Sequence, residues 1–159
     1  PVLDVDIKAW DWTMNINARA ALLCRQQAAK LMEGRGGKII SISSLGSSLA
    51  LPDYSIVGIS KAAIEAITRY LAIELAPKNI CVNTVGASAV ETEALKFYIK
   101  EGVVKDTRQA TLAGRMVIPE DIANVVAFLC SEEAIVIRGQ TIIVDGGISI
   151  TPFVMPKEG

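Results

Sequence analysis

The order in which two apolar patterns alternate along this chain constrains its fold more than any other feature. Stretches with apolar residues at every third or fourth position alternate with short β-branched runs. Residues 8–33 read as a first helix, with Ala21, Leu22, Ala28, Leu31 and Met32 on its apolar side and Asn15 and Asn17 in its first half. The run Gly34-Arg35-Gly36-Gly37 stops it. Residues 38–43 then read as a buried strand, followed by a loop of small residues to about position 50. A second helix starts at Pro52 or Asp53 and runs to about Leu75, with Ile64, Ile67, Leu71 and Leu75 spaced by three, four and four. Pro77 and Asn79 end it, and residues 80–85 give a second strand. Residues 86–118 are less regular, with a short helix over 93–98. Pro119 opens a third helix whose apolar side is Ile122, Val125, Val126 and Leu129. A last strand over 141–144 closes in Asp145-Gly146-Gly147, and residues 152–159 read as a loose tail after a single unit over 1–151.

Helices and strands in this order build a parallel sheet with helices on its faces. Three strands make a narrow sheet, and its first and last strands would be apolar, uncharged edges, which folded proteins avoid. The sequence therefore looks like part of a larger sheet.

Composition removes several classes of function. With 16 basic and 17 acidic residues in no like-charged block, the chain carries neither a nucleic-acid footprint nor a polybasic membrane anchor. The 51% hydrophobic content is spread over short, interrupted runs, such as Ala20 to Cys24 ahead of Arg25, too short to span a bilayer. Asp4, Asp6 and Asp11 occupy the place of a signal peptide's basic and apolar regions. Histidine is absent, which excludes Ser-His-Asp chemistry, Cys-His nucleophiles and imidazole zinc sites. Cys24, Cys81 and Cys130 show no metal-ligand spacing and are expected to be buried reduced thiols of a cytoplasmic protein. No metal site is expected.

The chemistry concentrates in residues 38–63. A strand ends in Ser43-Ser44, and Tyr54 precedes Lys61 by seven positions, which on a helix places the two within roughly 20° of one face. A neighbouring ammonium favours the phenolate form of a tyrosine. Such a pair can hydrogen-bond an oxygen that gains negative charge during a reaction. Ser44 stands at the carboxyl end of its strand, where ligands bind in open α/β sheets. Trp10 and Trp12 read as packing residues, and Glu65, Arg69 and Glu74 as a solvated helix face. Gly34-Arg35-Gly36-Gly37 follows a helix and precedes a strand, the reverse of a phosphate-binding turn.

These segments resemble the short-chain dehydrogenase/reductase family over nearly the whole chain. The resemblance rests on Ile16-Asn17, GGKIISISS, the Tyr54/Lys61 helix, Val82-Asn83, GRMVIPEDIANVVAFL and RGQTIIVDGG. The family's usual tyrosine, four residues before the lysine, would fall on Val57, which has no acid–base chemistry. The Tyr-x6-Lys spacing of PDYSIVGISKAA is similar instead to the enoyl-acyl-carrier-protein reductase branch, most of all to its NADPH-dependent type III enzymes.

The resemblance implies a doubly wound, Rossmann-type parallel sheet of which this chain is the C-terminal part, the N-terminal dinucleotide-binding half being absent. It implies reduction of trans-2-enoyl thioesters in fatty-acid synthesis, on acyl carrier protein or coenzyme A, with NADPH as cofactor and NADH as the alternative. Tyr54 would stabilise the enolate, Lys61 would hold the nicotinamide ribose, Ser44 would assist beside the carbonyl, and Asn17 would kink its helix and support a water near the lysine. Val90 and Thr92 would contact the nicotinamide amide, with Ala87 and Ser88 standing where the family usually has Pro-Gly. Residues 93–114 would cover the substrate, and the helices over 8–33 and 53–75 would join copies into a dimer or tetramer. Two other readings remain open. One is a catalytically inactive remnant or association module, if these residues are the whole protein; the other is a 3-ketoacyl-type carbonyl reductase of the same family.

Overall fold

The computed structural model describes residues 1–101 and 111–151; the expected tail lies outside them, as does part of the 93–114 segment. Three strands, β1 (Gly37–Ser44), β2 (Ile80–Ala87) and β3 (Thr141–Val144), form one parallel sheet in the order β1-β2-β3. The C-terminal part of a Rossmann-type fold is thus present, with β2 at its centre. All eight β2 residues are buried, and Ile80, Val82 and Val85 are inaccessible to solvent. Burying each such side chain contributes about 1.5–3 kcal/mol.

Alternation along the strands sorts the helices. Ile39, Ile80 and Val82 face α2 (Ala20–Leu31) and α3 (Ser55–Leu75), packing with Ala29, Leu71, Ala72 and Leu75. Ile40, Val85, Ile142 and Val144 face the other way, onto Ile122, Val125, Val126 and Leu129 of α5 (Pro119–Cys130). These are the apolar stripes expected of the second and third helices. Pro119 takes the first helical position of α5, as expected, and Asp121 accepts the Ile118 amide at 2.9 Å while binding both guanidinium nitrogens of Arg115.

The first expected helix is not uniform. It comprises α1 (Ile7–Met14), a π-turn over Asn15–Arg19 and then α2. In the π-turn the Ala20 amide reaches back five residues to the Asn15 carbonyl, so one residue is inserted into the helical ladder. Periodicity over 26 positions averages such an insertion away. The expected stop is found, with Gly34 and Gly36 both at positive φ. Between β2 and α5 lies α4 (Glu93–Lys100), two residues longer than expected.

Several side chains fall elsewhere than expected. Trp12 is 67% exposed and Leu31 72%, so neither packs into the core as expected. Cys24 and Cys130 are exposed, and Cys81 alone of the three thiols is buried. Arg25, by contrast, is only 3% exposed: it occupies the apolar side of α2, donating to Ser41 Oγ and, at 3.2 Å, to the Ile64 carbonyl. Burial lowers its pKa to about 10, so it keeps its charge at neutral pH. No described helix is long and apolar enough to cross a membrane.

Candidate active site

Ser44 is the last residue of β1, and it pairs in register with Ala87, the last residue of β2. The Ser44 hydroxyl accepts the Gly46 amide at 3.2 Å, closing a tight turn over Leu45–Ser47. On this turn rests the ring of Tyr54. A Cβ added at Gly46 would lie 2.6 Å from the ring's Cδ1 and Cε1, and one at Gly58 would lie 2.4 Å from the Gly46 carbonyl oxygen. Glycine at both positions lets turn, ring and helix lie flat against one another.

Tyr54 does not sit on the helix face as the spacing argument supposes. It is the N-cap of α3, with φ −119° and ψ 10°, and its carbonyl accepts the Gly58 amide at 2.8 Å. The phenol is therefore aimed by the 45–54 segment, and Tyr54 Oη donates to Ser44 Oγ at 3.3 Å. Lys61 lies two turns into α3 and donates from Nζ to the Ile42 carbonyl at 3.2 Å. Partial burial lowers its pKa, since desolvation penalises the ammonium. Tyr54 thus meets Ser44 at the carboxyl end of β1, and Lys61 reaches the same strand two residues earlier.

Asn17 is tied to the same place from the π-turn. Its Nδ2 donates to Ser60 Oγ at 2.9 Å, and Ser60, itself buried, donates to the Val57 carbonyl at 2.7 Å. Val57, at the position of the family's usual tyrosine, brings no ionisable group to the site.

Ala87 is the last residue of β2, pairing with Ser44 on one side and Val144 on the other, and Ser88 begins the bend that follows. Val90 forms a parallel bridge to Val117, and the Glu91 amide donates to the Val117 carbonyl at 2.7 Å. Thr92 caps α4, its Oγ1 accepting the Leu95 amide at 3.2 Å, which leaves the hydroxyl proton for another acceptor. Downstream, the Leu112 amide donates to the Gly146 carbonyl at 2.7 Å, pinning the far end of the expected covering segment to the turn after β3. Asp145 holds that turn by accepting the amides of Gly147 and Ser149, each at 2.8 Å.

Several site residues escaped the sequence reading. Glu65, expected in solvent, accepts hydrogen bonds from Ser43 and Ser47 on either side of Ser44. Asn83, wholly buried, binds the Ile137 carbonyl and the Gln140 amide, fixing the approach to β3. For Arg25 a signal existed: it falls three or four positions from Ala21, Leu22, Ala28 and Ala29, inside the apolar stripe.

A profile described as enoyl-(acyl carrier protein) reductase matches residues 1–149. This chain belongs to the short-chain dehydrogenase/reductase family. It is 39% identical over 155 residues to 1-cyclohexenylcarbonyl-CoA reductase of Streptomyces collinus, covering 94% of this chain and 54% of that protein. It is 36% identical over 148 residues to human dehydrogenase/reductase SDR family member 4, covering 92% of this chain and 53% of the relative. A solved structure described as ElxO with NADP bound superposes with a TM-score of 0.86 at 25% identity, covering 94% of this chain and 62% of that one. The chain spans about half the length of the curated relatives it matches.

Short-chain dehydrogenase/reductases use NAD(P)H, and the residues here fit its nicotinamide end. Lys61 offers a half-buried cation, Thr92 a hydroxyl with an uncommitted proton, and the ends of β1 and β2 an edge on which a ring can rest. Among the described residues there is no strand, glycine-rich turn and helix in the order that holds a pyrophosphate.

Proposed function

We propose that this protein reduces trans-2-enoyl thioesters, carried on acyl carrier protein or coenzyme A, with NADPH as donor. The observation that carries the reading is the Tyr54 hydroxyl poised on Ser44 while the family's usual tyrosine position holds Val57. The Streptomyces relative, named as a reductase of an unsaturated thioester, supports the same reaction class.

NADPH, when bound, supplies the hydride that the substrate's β-carbon receives. Electron density then moves onto the thioester carbonyl oxygen, and the chain's part is to stabilise that charge. Tyr54 Oη turns from Ser44 to donate to the oxygen, and Ser44 remains beside it as a second donor. Lys61 holds the ribose hydroxyls, and its ammonium favours hydrogen-bond donation by the phenol. Asn17 fixes the turn of α3 that carries Lys61 through Ser60. A proton taken up at the α-carbon completes the saturated thioester.

Partners and location follow the same reading. The outer faces of α2 and α3, where Tyr70 is 70% and Ile73 75% exposed, are the surface through which copies associate. The exposed thiols Cys24 and Cys130 suit a reducing cytoplasm. A structurally similar reductase described as catalysing keto-reduction, 33% identical with a TM-score of 0.84, favours a second reading, reduction of a carbonyl. The Ser44–Tyr54 pair polarises a ketone as well as a thioester, so substrate preference separates the two.

The test is oxidation of NADPH by the full protein with crotonyl thioesters and with a 3-ketoacyl thioester. Turnover of the enoyl substrate is expected, falling about 10²–10³-fold in Tyr54→Phe with little change in KM. Unchanged turnover in that variant sinks the mechanism, and a preference for the ketone moves the assignment to carbonyl reduction.

A further inference from the structure

We infer that Glu65 is a positioning residue that fixes the Ser44 turn against the Tyr54 ring. One oxygen of Glu65, Oε1, accepts Ser43 Oγ at 2.6 Å and Ser47 Oγ at 2.5 Å. The two serines bracket Ser44 and the 45–47 turn, so one carboxylate on α3 grips both ends of the segment. Ser43 is only 3% exposed, and its hydroxyl also lies 3.5 Å from the Lys61 carbonyl, one helical turn before Glu65. No ion pair engages Glu65 among the described residues, so these hydroxyls are its partners rather than a cation.

Among the described residues, the turn's other hydrogen bonds reach α3 only through the Tyr54 phenol on Ser44 and the long Ser43 contact to the Lys61 carbonyl. Ser44 Oγ accepts the Gly46 amide, and the amides of Ser48 and Leu49 donate to the Leu45 carbonyl, all within the loop. Glu65 ties both ends of the turn to the helix that also carries Lys61. The hydroxyl that meets Tyr54 and the ammonium nearby are thereby referred to one rigid element, as a preorganised site requires. The catalytic side of this inference rests on the enoyl reductase reading; the placement of the turn does not.

The experiment compares wild type, Glu65→Gln, Glu65→Ala and the double variant Ser43→Ala/Ser47→Ala in the full protein. Backbone hydrogen exchange by mass spectrometry reads the turn, and steady-state kinetics with NADPH and crotonyl thioester read the site. Glu65→Ala is expected to speed exchange in residues 44–49 about tenfold or more while leaving 80–87 unchanged. It is expected to lower kcat about tenfold, with the KM for NADPH unchanged within about twofold. Glu65→Gln keeps an oxygen that accepts both hydroxyls, so it should restore exchange and kcat together. The double serine variant should reproduce Glu65→Ala without touching the helix. Unchanged exchange in both clamp-breaking variants overturns the clamp. Faster exchange with unchanged kcat overturns the positioning role, and a glutamine variant as impaired as alanine overturns the hydrogen-bond account. A wild type that does not reduce enoyl thioesters sinks the function proposed above, and exchange alone then decides for or against Glu65.

Discussion

Tyr54 owes its aim to two atoms that are missing, the Cβ of Gly46 and the Cβ of Gly58. Adding a methyl at position 46 forces the phenol ring aside, because contacts of 2.6 Å to two ring carbons cannot relax within a turn this short. Gly46→Ala should therefore lower turnover at least about tenfold and cost about 1–3 kcal/mol of stability, read by kinetics and urea unfolding of the same preparation. Wild-type turnover in that variant removes the ring–turn contact from the account. At this scale the sequence was legible where chemistry is carried by residue type. Tyr54, Lys61 and Ser44 could be named from order and spacing; Tyr54 touches Ser44, and Lys61 reaches Ile42 of the same strand. What spacing could not show is that Tyr54 precedes its helix, since a residue's place as cap is settled by how the loop packs. Glu65 was misassigned for a related reason: its partners Ser43 and Ser47 lie about twenty positions away, across a turn that periodicity does not see.

Among the elements, α5 shows how a helix start is made without a serine or aspartate cap. Ile118 at the N-cap has no side-chain acceptor, and Asp121 takes over by binding the Ile118 amide and the Arg115 guanidinium. The hydrogen bond from Arg115 and that from the Ile118 amide depress the Asp121 pKa from 3.8 to about 2. A carboxylate whose folded pKa is depressed stabilises the fold above its unfolded pKa and loses that contribution as pH falls through the folded value. Asp121→Asn should therefore unfold at lower urea than wild type above about pH 4, with the gap closing towards pH 2. A gap independent of pH would mean that the charge contributes nothing. The strands were predicted within two residues at each end, because buried β-branched runs between glycine and proline signals leave little freedom. Periodicity did not predict the π-turn, because an inserted residue leaves the apolar stripes on either side intact; the family resemblance implied only a kink at Asn17, which lies within it.

For the molecule as a whole, the expectation of an incomplete sheet is met by a strand order that leaves β1 on the outside. Ile42, in the middle of that edge strand, is 47% exposed. An apolar edge with free backbone groups recruits further strands. The 159-residue chain by itself should therefore self-associate, and Ile42→Lys should reduce its light scattering several-fold, on the order of what gatekeeper charges achieve. A chain that stays monomeric without the substitution would show the edge to be harmless. Composition alone reads as a small whole domain; the exposed Ile42 of the β1 edge shows where part of its apolar content lies. Ser44 pairs with Ala87 and Ala87 with Val144, so all three strands finish on the same row. The ladder of the three strands stops at that row, and the segments that carry Tyr54, Thr92 and Leu112 lie beyond it. Those segments can be exchanged with a relative's without disturbing the pairing of the three strands, so this half of the fold separates the part that holds shape from the part that selects chemistry.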